Sequence, residues 1–503
     1  MKKTVLILMF ITLASKLFGL ARDISLSYFY GASNISDAYL ISLTIPSVIF
    51  GFIGMGISTG YIPIYNKAEK KEGVDKANEF TSNLINILFV IWTLLIIIAY
   101  LNVDTVVKVF ASGFTEDTLN IAIKFTKFTL LSIFFTTCIY IFNGFLQLKD
   151  EHKIPGLIGF PLNIITIIFI YLSSRIDVIL LPIGFILGVF LQFLLLIPFI
   201  KKKRFKYRLK FNIQDKYITD IAYMAVPVIL GISVNQINVL VDRTLASQIA
   251  VGGISALNYA NQINIFIQSI FILSIATVLF PVISRMASEK NFDGLKRTLS
   301  ESIIGIYVLT VPATIGAIIF AKPIVTLLFA RGAFDSQAIS MTSYALIFYS
   351  IGMLSAGLRQ VLSRVFYAME NTKTPMINAS IGVIINIILN IILSKYLGIG
   401  GLALATSIAA MFTTSLLFIS LRKEIGRIGM GLLFSAFVKV LIASLIMGLS
   451  AYLFFEYLIT NMFNQNIALF MTIGLAIVVY LISIYFMKIK EVDVLINAIK
   501  RKF

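Results

Sequence analysis

Residues 80–102 read FTSNLINILFVIWTLLIIIAYLN, a stretch without a charged side chain that is long enough to cross a bilayer as one helix. A helix needs about 20 predominantly apolar residues to span the hydrocarbon core. Stretches of this kind recur along all 503 residues, of which 13% are charged and 58% hydrophobic, and the mean hydropathy is +0.94. We therefore predict an all-α integral membrane protein, because helices satisfy their own backbone hydrogen bonds inside a bilayer.

The apolar stretches predict fourteen spans, numbered in chain order. They lie at about 4–28, 37–62, 80–102, 125–147, 155–174, 178–200, 218–247, 255–284, 299–321, 339–366, 376–395, 400–421, 434–457 and 466–487. The N-terminal MKKTVLILMFITLAS is similar to a signal peptide, but its apolar character continues to Gly31, so we interpret it as a retained span 1. Because fourteen is an even number, both termini are expected on the same side of the membrane.

Lysine and arginine are concentrated in alternate connections between the spans. The richest connection, 201–216, reads KKKRFKYRLKFNIQDK, whereas the connections 248–254 and 458–465 contain neither residue. The positive-inside rule therefore predicts cytoplasmic termini. The net charge of +18 is carried largely by loops that border the membrane, which indicates anionic membrane lipids as partners and argues against nucleic acid.

The second six spans look like a divergent copy of the first six, displaced by about 220 residues. The matching pairs are Pro63 and Pro281, Lys153 and Lys373, Pro155 and Pro375, Gly159 and Gly382, and Asn163 and Asn386. We predict two pseudo-symmetric six-helix lobes around a central cavity, at 1–205 and 206–425, as in transporters built from repeats. Spans 13 and 14 with a cytoplasmic tail form a third part, 426–503.

Ionisable residues inside the predicted spans are the candidate functional residues, because a charge at mid-bilayer costs about 2.5–3.5 kcal/mol even on a lenient scale. They are Lys16, Arg22 and Asp23 in span 1, Asp37 in span 2, Asp242 and Arg243 in span 7, and Arg359 and Arg364 in span 10. Two alternatives stay open. The adjacent pairs can neutralise each other, and Arg364 can reach the membrane surface.

The residues that most catalytic sites need are scarce. A single cysteine, Cys138, and a single histidine, His152, exclude a disulfide framework and a histidine-based metal centre within one chain. The acidic loop residues form no catalytic pattern and no nucleotide-binding motif is present. We therefore predict that the protein is not an enzyme and has no organic cofactor.

Four stretches carry a resemblance to a known family. They are SKLFGLARDISLSYFYGASNISDAYLIS (15–42), VDRTLAS (241–247), ISALNYANQI (254–263) and FYAMENTKTP (366–375). Together they resemble the MurJ (MviN) lipid II flippases of the multidrug/oligosaccharidyl-lipid/polysaccharide exporter superfamily. The resemblance implies a bacterial cytoplasmic-membrane protein that acts as a monomer. It would move undecaprenyl-diphosphate-linked peptidoglycan precursor, lipid II, from the inner to the outer leaflet by alternating access.

The resemblance also implies a substrate-binding set. Arg22, Asp23 and Asp37 match the family pattern, and Lys16 stands where the family usually has arginine, which keeps the charge but loses the bidentate fork. Two further arginines are absent, one near Phe50 or Gly51 and one replaced by Gln262. Arg243, Arg359 and Arg364 would complete the set.

A cation site is the last feature that the resemblance implies. Its ligands would be Asp242, Asn386, Asn390 and Thr406, an oxygen set suited to Na⁺ as the coupling ion, with the membrane potential as the other driving force. Hydrogen bonding between helices is the alternative role of Asn386 and Asn390. The reduced number of arginines keeps a flippase for another undecaprenyl-linked polysaccharide unit open, and a drug/cation antiporter comes third.

Overall fold

The computed structural model of the chain describes residues 2–151, 153–461 and 463–487. His152 and the end of the predicted cytoplasmic tail, 488–503, lie outside the described residues. The described part is helical throughout its regular structure, with short connections. Two compact units are distinguished by their internal packing.

Unit 1 comprises Met1–Ser255 together with Arg331–Asp335. Its helices are α1 (Lys2–Tyr30), α2 (Asn34–Glu72), α3 (Val74–Leu101), α4 (Val103–Phe110), α5 (Glu116–Thr129), α6 (Ser132–Leu148), α7 (Lys153–Leu157), α8 (Gly159–Ser173), α9 (Leu180–Lys202) and α10 (Lys216–Ile249). The long helix α2 packs against α3, α5, α6 and α10, and α1 packs against α8.

Helix α3 shows why these segments are helices of a membrane protein. Trp92 and Ile96, one turn apart, are buried against the rest of the unit, whereas Leu94, Ile98 and Leu101 are more than half exposed. Both faces of the helix are thus apolar, and a helix that is apolar all round is stable where lipid covers its outer face.

Unit 2 comprises Ala256–Ala330 and Ser336–Phe503. Its helices are α11 (Gly253–Ser288, which begins in unit 1), α12 (Phe292–Ile319), α13 (Ala321–Phe329), α14 (Ser336–Ile351), α15 (Met353–Ala368), α16 (Lys373–Ile425), α17 (Met430–Thr460) and α18 (Gln465–Phe486). One apolar cluster joins α12, α15, α16 and α17, and α18 packs against α17.

The helices account for the predicted spans. Among the described residues, eight helices are long and apolar enough to cross a membrane, and the bent pairs α5–α6 and α14–α15 raise that number to ten. The 53-residue α16 is broken at Gly398, where φ is 54°, so it covers spans 11 and 12. Spans 1, 7 and 8 coincide with α1, α10 and α11. The prediction of an all-α multi-pass membrane fold is confirmed.

The two arms of α16 form a hairpin around Gly398. A Cβ on Gly401 would lie 2.2 Å from the carbonyl oxygen of Leu393, and one on Gly382 would lie 2.0 Å from Thr413 Oγ1. Only glycine permits such close approach of the arms.

The same irregularities recur in both halves of the chain. The α5–α6 and α14–α15 pairs bend by 44° and 45°. Asp150 and Glu370 have left-handed backbone conformations after α6 and α15, as do Gly31 and Gly252 before the next long helix. These pairs are again about 220 residues apart, which supports the internal duplication. The lobe boundary predicted at 205/206 follows the repeat, whereas the units follow packing, which joins α10 to unit 1. The lobe boundary therefore stays a prediction.

Candidate functional site

Helix α1 is held against α8 by small residues, and this contact sets the direction of its charged residues. A Cβ on Gly159 would lie 2.0 Å from Ser15 Oγ. Asn163 Nδ2 donates to the carbonyl oxygen of Gly159 at 2.9 Å and to that of Ser15 at 3.5 Å. Because Ser15 faces α8, the side chain of Lys16 points about 100° away from that contact around the helix axis. Asp23 follows Lys16 by two turns and therefore lies on the same stripe of the α1 surface as Lys16.

Arg22 and Asp23 form an ion pair. Arg22 Nε and Nη2 donate to Asp23 Oδ1 at 3.1 and 2.9 Å, and Asp23 is almost completely buried. The open alternative of mutual neutralisation is thus the arrangement present. A pair of this kind contributes a dipole and no net charge to its surroundings.

Lys16 is half-buried in α1, and none of the ion pairs among the described residues includes it. It therefore adds a positive charge to the polar stripe of α1, next to the neutral Arg22–Asp23 pair. A cation in this position suits an anionic ligand.

Asp37 caps the turn that precedes α11. Its Oδ1 accepts hydrogen bonds from the backbone N–H of Ser255 at 2.8 Å and from Ser255 Oγ at 2.5 Å, and its Oδ2 accepts from the N–H of Gly252 at 2.8 Å. The side chain is 2% exposed. A carboxylate at a helix N-terminus satisfies otherwise unpaired N–H groups. Asp37 thus has a structural role in unit 1, and a role toward substrate stays a prediction.

Asp242 and Arg243 lie half-buried on α10. Asn238 Nδ2 is 3.4 Å from Asp242 Oδ2, and Arg243 Nη1 donates to the carbonyl oxygen of Ile254 at 3.2 Å. Arg243 also interacts electrostatically with Asp37. The guanidinium group is therefore tied to the same turn that Asp37 caps.

The position near Phe50 and Gly51, where the resemblance places an arginine, is filled by other groups. A Cβ on Gly51 would lie 2.3 Å from Gln236 Nε2 of α10. Phe50 is buried, with its ring 4.9 Å from that of Tyr140 and 5.9 Å from that of Trp92. An amide of α10 thus occupies the place where the longer cationic side chain would begin. Gln236 is uncharged and lies outside the four stretches that carry the family resemblance, so the sequence alone does not indicate this contact.

The candidates of unit 2 fall into two groups. Gln262 on α11 and Arg364 on α15 are half-buried, whereas Arg359 on α15 is exposed at the surface of the unit. An exposed arginine within a predicted span faces either lipid or a polar space, and only the second is energetically favourable.

The hairpin of α16 brings three of the predicted cation ligands together. Asn390 Nδ2 donates to Asn386 Oδ1 at 2.9 Å, Asn386 Nδ2 is 3.4 Å from Thr406 Oγ1, and Thr406 Oγ1 donates to the carbonyl oxygen of Leu402 at 3.1 Å. The alternative of hydrogen bonding between helices is therefore the arrangement present. The fourth predicted ligand, Asp242, belongs to unit 1. Among the described residues no group of three or more Asp, Glu, His or Cys side chains could hold a metal ion.

The fold and the ionisable groups within its spans together define a multi-pass membrane protein. The family model described as lipid II flippase MurJ matches residues 26–484. The chain therefore belongs to the MurJ family of lipid II flippases.

Individual relatives agree with this assignment. The chain is 29% identical to a probable lipid II flippase MurJ of Vibrio cholerae over 429 residues, covering 83% of this chain and 82% of that protein. It is 29% identical to a probable lipid II flippase MurJ of Haemophilus influenzae over 456 residues, covering 87% and 89%.

Solved structures show the same relationship in three dimensions. A structure of lipid II flippase MurJ in an inward closed conformation matches with a TM-score of 0.83 and 30% identity, covering 95% of this chain and 98% of that chain. An inward-facing multidrug resistance transporter of the MATE family matches with a TM-score of 0.68 at 17% identity, covering 84% and 98%. The second likeness is one of fold alone.

Proposed function

We propose that this protein moves lipid II, the undecaprenyl-diphosphate-linked peptidoglycan precursor, from the inner to the outer leaflet of the bacterial cytoplasmic membrane. The observation that carries the proposal is the family match over residues 26–484. The reaction is transport without covalent chemistry. It proceeds by alternating access, in which the site opens first to one side of the membrane and then to the other.

The diphosphate is the part of the substrate that crosses a bilayer least readily, because its charges cannot enter the hydrocarbon core unpaired. In unit 1, Lys16 is the residue we assign to the diphosphate, since Arg22 is already neutralised by Asp23. Lysine meets phosphate oxygens as a compact point charge rather than as a planar fork. The Arg22–Asp23 pair supports Lys16 by offering hydrogen bonds without adding charge.

In unit 2, Arg359 is a separate candidate for binding a lipid-linked phosphate. It lies on α15 and is exposed. Gly51 and Gln262, at the two positions without arginine, make the binding set less basic than the family pattern. We therefore expect weaker dependence on diphosphate charge, and a flippase for a related undecaprenyl-linked glycan is the second candidate function.

The test is rescue of a bacterium depleted of its own lipid II flippase. Wild type should restore growth, whereas Lys16→Ala should abolish it and Lys16→Arg should retain it. The matched control is Lys108→Ala, which removes an exposed lysine paired with Asp104 on α4 and should rescue fully. Membrane insertion of each variant is measured by immunoblot of the membrane fraction.

Each outcome has a defined meaning. Loss of rescue in Lys16→Ala alone supports diphosphate binding by that residue. Full rescue by Lys16→Ala contradicts the assigned site but not the function. Failure of well-inserted wild type to rescue contradicts lipid II as substrate and favours the second candidate function.

A coupling Na⁺ is a separate proposal that rests on the family resemblance. Asn386 Oδ1 and Thr406 Oγ1, two of its expected oxygen ligands, take part in hydrogen bonds within the α16 hairpin. Binding would require these bonds to rearrange, so we derive no transport step through the ion. Asn390→Asp adds a negative charge at this place and should make thermal stability depend on Na⁺ more strongly than on K⁺.

The orientation and the oligomeric state are also proposals. The basic connection 201–216 supports cytoplasmic termini by the positive-inside rule. Labelling of an introduced cysteine at Gln214 by a membrane-impermeant maleimide tests this. Reaction in inverted membrane vesicles but not in intact cells is the expected result. Action as a monomer would give one copy per particle when rescue-competent protein is reconstituted in nanodiscs.

A further inference from the structure

The connection between α9 and α10 is an ordered segment that follows the surface of α3. We name residues 204–215 the strap. Five contacts fasten its backbone to polar side chains of α3. They are Asn78 Nδ2 to the carbonyl oxygen of Arg204 (3.2 Å), Arg208 N–H to Ser82 Oγ (3.1 Å), Asn86 Nδ2 to the carbonyl oxygen of Lys210 (2.8 Å), Asn83 Nδ2 to the carbonyl oxygen of Asn212 (2.8 Å) and Asn212 N–H to Asn83 Oδ1 (2.8 Å).

The order of these contacts shows that the strap rises along α3 and returns. Arg204 is level with Asn78, and Lys210 is level with Asn86, eight residues further along the helix. Eight residues of helix rise about 12 Å. The chain then descends, because Asn212 is level with Asn83. The apex of the strap therefore lies at residues 209 and 210.

The apex meets α3 where that helix enters its apolar part. Asn86 is the last amide side chain of the helix, and the run from Ile87 to Leu101 that follows it is apolar except for Thr93. The run from 87 to 101 covers about 22 Å, most of the hydrocarbon thickness of about 30 Å. Asn86 and the apex are thus placed at the boundary between headgroups and acyl chains.

The strap has two different edges. On one edge Arg208 pairs with Asp75 at 3.3 Å, and Lys210 pairs with Glu79. The exposed apolar and aromatic side chains of the strap form its apolar edge, namely Leu209 (90%), Phe211 (54%), Ile213 (62%) and Tyr207 (54%). The Tyr207 hydroxyl also donates to Asn86 Oδ1 of α3 at 2.5 Å, so only the ring of this residue belongs to the edge.

Exposed lysines flank the apolar edge. Lys201, Lys202, Lys206 and Lys216 are all exposed, and Lys206 directly precedes the edge. An apolar edge bordered by lysines is the pattern of a segment that lies in a membrane interface. Lysine heads reach phosphates of anionic lipids while the apolar side chains enter the acyl boundary.

We propose that the strap is an interfacial anchor whose apolar edge inserts into the membrane surface and whose lysines bind anionic phospholipid headgroups. It holds the start of α10, which follows at Lys216, at a defined depth. Lys67 on α2 pairs with Asp220 of α10 at 2.5 Å, so the same end of α10 is also tied to the centre of unit 1. The proposal concerns bulk lipid and does not depend on lipid II transport.

The experiment uses the full chain with tryptophan as a depth probe, because Trp92 is the only natural tryptophan. Leu209→Trp and, as matched control, Gln214→Trp are made on a Trp92→Phe background and reconstituted in liposomes. Gln214 is exposed in the same segment but lies beyond the apolar edge. Fluorescence quenching is measured with lipids brominated on the acyl chain and with aqueous iodide.

We expect the tryptophan at 209 to be quenched by brominated lipid and protected from iodide, and the one at 214 to show the reverse. Brominated phosphatidylglycerol should quench position 209 more than brominated phosphatidylcholine. Lys206→Gln should reduce this preference by about fivefold, since one lysine near an anionic surface contributes about 1 kcal/mol.

Several results would overturn the proposal. Equal iodide access at 209 and 214 would show that the strap is an aqueous loop. Equal quenching by the two brominated lipids would contradict anionic binding. Protection of 209 that disappears on dilution of protein in the membrane would show that a second copy covers the edge. If Trp92→Phe does not fold, nitroxide labels at the same two positions on a Cys138→Ala background give the same comparison through oxygen and aqueous nickel collision.

Discussion

Replacement of Asp37 by alanine separates a structural role from a role toward substrate. The carboxylate accepts three hydrogen bonds from Gly252 and Ser255 and is 2% exposed. Asp37→Ala removes all three acceptor contacts and leaves the donors buried. Because the affected groups lie at the start of α11, the favourable interaction between the anion and the helix N-terminus is lost as well.

The expected magnitude follows from these contacts. A hydrogen bond to a charged group contributes about 1.5–3 kcal/mol, and a buried donor without a partner costs about 1–3 kcal/mol. Ser255 supplies two of the three donors, so the contributions are not independent. We expect the free energy of unfolding to fall by about 4 kcal/mol. At about 2–4 °C per kcal/mol for a unit of this size, the unfolding midpoint should fall by roughly 10 °C.

Cys138 makes the measurement direct, because it is the only cysteine and is buried in α6. A maleimide dye that fluoresces on reaction with thiol reports unfolding of detergent-solubilised protein. Asp37→Asn should fall between wild type and Asp37→Ala. The matched control is Asp104→Ala, which removes an exposed carboxylate and should leave the midpoint within about 1 °C.

A double-mutant cycle with Ser255→Ala completes the test. If Asp37 and Ser255 stabilise the same turn, the double variant should lose less stability than the sum of the two single variants. An Asp37→Ala protein that keeps the wild-type midpoint but fails to rescue growth would refute the structural role and restore Asp37 as a substrate residue.

Three further predictions concern other contacts. Gly51→Arg should lower the unfolding midpoint, because its Cβ would clash with Gln236, and Gln236→Ala should recover most of the loss; an equal loss in both backgrounds would contradict this. Gly401→Ala should lower the free energy of unfolding by at least about 1–3 kcal/mol, because backbone atoms of the opposite arm of the hairpin cannot move aside. The control is Gly431→Ala, which has open space around it and should leave the unfolding midpoint reported by the dye unchanged. Asn83→Ala removes two hydrogen bonds to the strap and should speed trypsin cleavage within 201–216 by roughly tenfold, without changing cleavage elsewhere. Unchanged cleavage within 201–216 would show that the amide contacts do not hold the segment.

Much of the fold could be predicted because membrane insertion is decided segment by segment. Transfer of about 20 apolar residues into lipid depends on local composition alone, so the spans follow from hydropathy. The hairpin of α16 was predicted correctly as two spans although its helices are nearly continuous, since Lys395 and Gly398 interrupt the apolar pattern.

The bends in the helices could not be predicted in this way. The backbone N–H of Gly352 donates a hydrogen bond to Ser407 Oγ at 3.1 Å, and the Ser407 hydroxyl in turn donates to the carbonyl oxygen of Phe348 at 2.6 Å. The Ser407 hydroxyl of another helix thus lies between the Gly352 N–H and the Phe348 carbonyl, while the same N–H also donates to the Tyr349 carbonyl at 3.1 Å. No local pattern of α14 or α15 contains that information.

The residues of the candidate site could be predicted from the sequence, but their interactions could not. Composition identified Lys16, Arg22, Asp23 and Asp37 as groups that need a reason to lie in a membrane, and the structure describes a separate arrangement for each. Arg22 is neutralised by Asp23, Asp37 caps a helix, and Lys16 adds a positive charge. Charge is a property of the residue, whereas its compensation depends on neighbours brought close by folding.

The sequence by itself determined that this is an all-α membrane protein of the MurJ family with a basic loop at 201–216, and it predicts a duplicated six-span pattern. Hydropathy, charge bias and motif residues are local quantities, so the linear chain contains them completely. Only the tertiary structure decided that Gln236 fills the space beside Gly51 and that the strap turns Leu209 outward. Both depend on contacts between residues more than a hundred positions apart, whose pairing follows from three-dimensional packing.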